Sequence, residues 1–89
     1  MTTEDPERTI RNYLNDLGKL LRERAVQAKA SADLAKTDHA HSPDEVHFNN
    51  GVSMAYFEVI SLMQQQASAF GLDLKLMGLQ DFDPEKELL

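Results

Sequence analysis

The chain contains no cysteine and no tryptophan, and its 89 residues include only three prolines and four glycines. Without cysteine there can be no disulfide, no thiolate zinc site, no iron–sulfur cluster and no thiol catalysis. The glycines stand singly, so no phosphate-cradling loop is present, and nucleophile-elbow, His-Glu-x-x-His and calcium-loop patterns are missing too. Long apolar runs are also lacking. The best, Val52 to Met63, is interrupted by Ser53, Glu58 and Ser61 and is too short to cross a bilayer. The polar, acidic stretch from Met1 to Arg8 has neither the basic nor the apolar region of a signal peptide, so a cytoplasmic protein without a membrane partner is expected. Positive charge is scarce: nine basic residues against fifteen acidic ones leave a net charge of −6, which sets the global field against nucleic acid.

At 10.0 kDa the chain is read as one domain spanning 1–89. A domain of this size buries only about 60–65% of the surface its unfolded chain exposes. With disulfides excluded, a second subunit or unusually good helix packing must supply the rest of its stability.

Three segments carry helix-start chemistry. Asp5-Pro6-Glu7 and Asp83-Pro84-Glu85 read as N-cap, first helical residue and first-turn acid, and Ser42-Pro43-Asp44-Glu45 adds a capping box. After Pro6, the residues Ile10, Leu14, Leu17, Leu21, Ala25, Ala28, Ala32 and Ala35 recur every three or four positions, predicting a helix over about 6–36. Gly18 inside it costs about 1 kcal/mol of helix propensity and is expected to admit a closely approaching partner. A second helix is predicted over about 43–70 from Val46, Ser53, Tyr56, Phe57, Ile60, Met63, Ala67 and Phe70. The turn-like Asn49-Asn50-Gly51 is the point where it would break, but the apolar phase continues across it. Gly71 is placed to end the helix in a left-handed conformation, with Leu72 folding back on Ala67. The leucine-rich tail, 72–89, opens with a period-two pattern, Leu72, Leu74 and Leu76. No second strand exists to pair with it, so an extended strap over the helices is expected, with Asp83 capping a last turn around Leu88.

The fold class is therefore all-α: an antiparallel helical hairpin with a short C-terminal strap. Small residues face small ones near the loop and large ones face large ones at the open end, leaving more apolar surface than the strap can hide. Pairing into a homodimeric four-helix bundle resolves this, through a shared core of Leu14, Leu17, Leu21, Tyr56, Ile60, Met63 and Phe70. A monomer closed by its own tail is the competing architecture.

Few residues suggest chemistry. His39, His41 and His47 lie within nine residues, beside Asp38 and Asp44, and imidazoles so clustered are sensible ligands for zinc, nickel or copper. A solvated loop whose histidines only titrate is the plainer reading. Glu58 stands alone among apolar neighbours, with no second carboxylate at helical reach. Arg8, Arg22, Lys29 and Lys36 form a stripe along the first helix, which reads as a solvated face against which the acidic tail can lie. The function expected is that of a small homodimeric interaction or regulatory protein that binds itself, and beyond that another protein, with no catalysis of its own and no cofactor. The alternative is a metal- or small-ligand-binding protein using the histidine cluster; an enzyme assembling its site between subunits is the third.

Overall fold

A computed structural model describes residues 5–37 and 41–89. Helix α1 runs Pro6–Thr37 and helix α2 runs Pro43–Ala69; a 3-10 turn, Leu74–Met77, and a short helix α3, Pro84–Leu88, follow. The described elements are all helical, and the two long helices pack antiparallel.

The helix starts are the ones the sequence encodes. The Asp5 carboxylate accepts the Glu7 amide at 3.0 Å, Ser42 Oγ accepts the Glu45 amide at 3.2 Å, and the Asp83 carboxylate accepts the Glu85 amide at 3.0 Å. Helix α2 passes unbroken through Asn49-Asn50-Gly51, where the Asn49 side-chain amide donates to the Glu45 carbonyl at 2.7 Å. At its end Gly71 sits at φ +67°, its amide donating to the Ser68 carbonyl at 3.1 Å while the Leu72 amide reaches the Ala67 carbonyl at 2.8 Å. This is a Schellman ending.

The tail is not an extended strap. Asp73 caps the Lys75 amide and starts the 3-10 turn, and Gly78 closes it at φ +67°, with the Leu79 amide bonded to the Leu74 carbonyl at 3.1 Å. Residues three apart eclipse in a 3-10 helix. Half-buried Leu74 and buried Met77 therefore turn inward together, while Leu72 and Leu76, which a strand would have aligned with Leu74, are exposed.

The core is built between hairpin and tail. Ala25, Ile60, Ala67, Met77, Leu79, Phe82 and Leu88 form one buried cluster, flanked by Leu21, Tyr56, Phe57, Met63 and Leu74. The buried positions of α1 are all small: Gly18, Ala25, Ala32 and Ala35. Because α1 offers so little bulk there, the tail approaches its backbone directly, and the space a Cβ on Gly18 would need is filled by the Met77 carbonyl oxygen. The close partner of Gly18 is thus the chain's own tail.

Candidate functional site

The hairpin has two broad faces, and the tail covers one. Polar side chains from both helices hold it by its backbone. The Asn15 amide donates to the Lys75 carbonyl at 3.0 Å, Arg22 donates to the Gly78 and Gln80 carbonyls at 3.2 Å each, and the Gln64 amide donates to the Phe82 carbonyl at 2.8 Å. The Arg22 guanidinium also lies over the Phe82 ring, 5.1 Å from its centroid. Within the basic stripe Arg22 clamps the tail, Lys29 pairs with Asp33 at 3.0 Å, and Arg8 and Lys36 are exposed.

The other face has no such cover among the described residues. With about 100° between successive residues of a helix, Phe48, Val52, Ala55, Val59, Leu62, Gln66 and Phe70 fall along one side of α2, turned away from the tail-facing positions Phe57 and Gln64. Phe48 is 71% exposed, Phe70 75%, Leu62 56% and Val59 47%. Beyond its first turn α2 carries a single charge, Glu58, which is exposed and about a quarter turn from this row. On α1, Tyr13 and Leu20 are exposed and lie about 140–160° around the helix from the tail-contacting Gly18. Between the helices a notch of about 210 Å³ is lined by Leu21, Val52, Ala55, Tyr56 and Val59. A second apolar hollow, at the open end, is lined by Ile10, Leu14, Leu72, Leu76 and Met77, with Glu7 and Arg11 at its rim.

Of the residues expected to form a shared core, Leu14, Leu17, Leu21, Tyr56 and Met63 are half-buried and Phe70 is exposed. Ile60 is fully buried inside the chain's own cluster, where its side chain has no surface left for a partner. Val59 flanks the apolar stripe that the sequence shows, and Phe48 and Leu62 lie beside that stripe rather than in it. The signal that finds them is the near absence of charge on α2 beyond its first turn, which leaves apolar side chains on more than one side of the helix.

The histidines do not assemble a site in what is described. His41 is half-buried with Nε2 3.9 Å from the Glu45 carboxylate, His47 is exposed, and His39 lies outside the described residues. Among the described residues no group of three or more histidine or carboxylate side chains is arranged to hold a metal ion. No described helix is long and apolar enough to cross a membrane. Compared with family models, curated proteins and solved structures, the chain matches none.

Proposed function

We propose that the chain is a small homodimeric helical interaction or regulatory protein, without catalytic activity of its own, in which two hairpins stack their uncovered faces into a four-helix bundle. The observation that carries this reading is the uncharged row of exposed large side chains on α2 beside exposed apolar residues of α1. Soluble monomers rarely leave an apolar patch of more than a few hundred Å² in water.

The dimensions agree with it. The chain is a slab, 56 × 32 × 18 Å, with a radius of gyration of 16.2 Å against about 12 Å for a compact chain of this length. Its accessible surface is 6630 Å², whereas a folded monomer of 10.0 kDa exposes roughly 5,200 Å². Half-buried Leu17, Leu21, Tyr56 and Met63 would receive their remaining cover from the second layer. A cytoplasmic setting fits the lack of cysteine.

Thermal melts over a hundredfold range of protein concentration test the reading. A dimer that is the folded unit gains stability with concentration, so the midpoint should climb, and Leu62→Glu should lower it sharply. A midpoint independent of concentration in the wild-type chain would remove the basis for the dimer.

A further inference from the structure

The exposed row on α2 has its own internal order. Phe48, Val52, Ala55, Val59, Leu62 and Gln66 follow each other at spacings of four, three, four, three and four, the repeat of a coiled-coil seam, and Phe70 closes the row. Val52, Ala55, Tyr56 and Val59, which line the notch, stand at i, i+3, i+4 and i+7. Those four positions are the ones that form the hole for a knob from a facing helix.

The row is close to a palindrome about Val59. Phe48 and Phe70 lie eleven residues to either side of it, Val52 and Gln66 seven, Ala55 and Met63 four, and Tyr56 and Leu62 three. We propose that two copies of the chain pair α2 against α2 in antiparallel with the twofold axis at Val59, so that Phe48 of each copy meets Phe70 of the partner subunit. This rests on the homodimer reading and specifies its geometry. In that register Met63 of one copy meets the small Ala55 of the partner subunit at the notch, and Leu62 packs on the ring of the partner's Tyr56. The two most exposed aromatic rings of the helix cover each other. A shift of a few residues either way leaves one ring of each pair in water.

Charge selects the direction. The first turn of α2 carries Asp44 and Glu45, and its last turn carries no basic residue. A parallel pair would set the two acidic turns side by side and align the helix dipoles, whereas an antiparallel pair separates like charges by the length of the helix and opposes the dipoles.

The absence of cysteine makes the register directly readable by cross-linking. Facing helices with axes 8–10 Å apart bring Cα atoms on the twofold axis to about 3.5–5.5 Å, overlapping the disulfide range. Under mild oxidation Val59→Cys should therefore convert to a covalent dimer. Phe48→Cys alone and Phe70→Cys alone should not, because each is about 33 Å from its own copy, yet a mixture of the two should cross-link. Ala55→Cys mixed with Met63→Cys is the second pair, should loss of an aromatic impair folding, with helicity of each variant checked by circular dichroism. A protein that is dimeric by light scattering but whose Val59→Cys variant stays uncross-linked, or whose Phe48→Cys variant cross-links with itself, overturns the register while leaving the dimer. A monomer by light scattering overturns both.

Discussion

Replacing Gly18 with alanine separates this fold from a generic helical hairpin by the sign of its effect. In a helix whose surface is open, glycine to alanine stabilises by about 1 kcal/mol. At Gly18 the new methyl would occupy the place of the Met77 carbonyl oxygen, and the neighbouring Gly78 is similarly confined, its own Cβ position lying against the Asn15 carbonyl and the Lys19 backbone. Both obstructing groups are backbone, so the strain cannot be relieved by rotating a side chain. Overpacking of this kind costs about 1–3 kcal/mol when the surroundings shift. If the tail lifts instead, burial of Leu79, Phe82 and Leu88 is lost, at roughly 1.5–3 kcal/mol each. Set against the helix-propensity gain, the expected net effect is a loss of up to about 2 kcal/mol when the surroundings shift and of more when the tail lifts; each 1 kcal/mol lost lowers the melting temperature of a domain this size by roughly 4–8 °C. Gly51→Ala is the matched control: it lies in α2 with nothing near its Cβ position, so it should gain about 1 kcal/mol. Urea denaturation of both variants at one protein concentration, with limited proteolysis to report release of the tail, reads the difference. A Gly18→Ala variant as stable as Gly51→Ala, with its tail still protected, would refute the close crossing of α1 by the tail.

Three further substitutions test separate joints. Ser42→Ala removes the acceptor of the Glu45 amide and should cost about 0.5–2 kcal/mol in chemical denaturation. Arg22→Met keeps much of the stem but leaves the Gly78 and Gln80 carbonyls without their donor, for a loss of about 1–3 kcal/mol and faster proteolysis after Lys75; Arg22→Lys, lacking the planar fork, should recover only part. Gly71→Ala places a side chain at φ +67° and should cost about 1–2 kcal/mol although no atom obstructs it, which a melt at fixed concentration will show.

The helices were legible because their boundary signals are local. Asp5, Ser42 and Asp83 each bond an amide two or three residues on, and Gly71 ends α2 through its own backbone, so no tertiary information is needed to place them. The path of the tail was not legible, since the alternation of Leu72, Leu74 and Leu76 is overridden by the Asp73 cap and the left-handed Gly78, which wind the segment into a 3-10 turn. Gly18 shows the same limit: its sequence context signals close approach without saying by what. Helical spacing placed Leu14, Leu17, Leu21, Tyr56 and Met63 on the inward stripes of the two helices, where they are half-buried. Ile60 could not be told from them in one dimension, because whether its stripe position faces the tail core or the open side depends on where the tail lies. The uncovered row through Phe48, Val59 and Leu62 became visible only once the tail was seen to occupy the opposite face.

The molar mass in solution decides whether the open face is a subunit interface. Sedimentation equilibrium at micromolar concentration should return about 20 kDa for the wild-type chain, twice the 10.0 kDa of one copy. Val59→Glu, which sets a charge in the middle of the face without touching the tail core, should return about 10 kDa. A wild-type mass of about 10 kDa at every concentration up to the millimolar range would mean that the slab lives alone with its apolar face in water, and that the face is not a dimer interface.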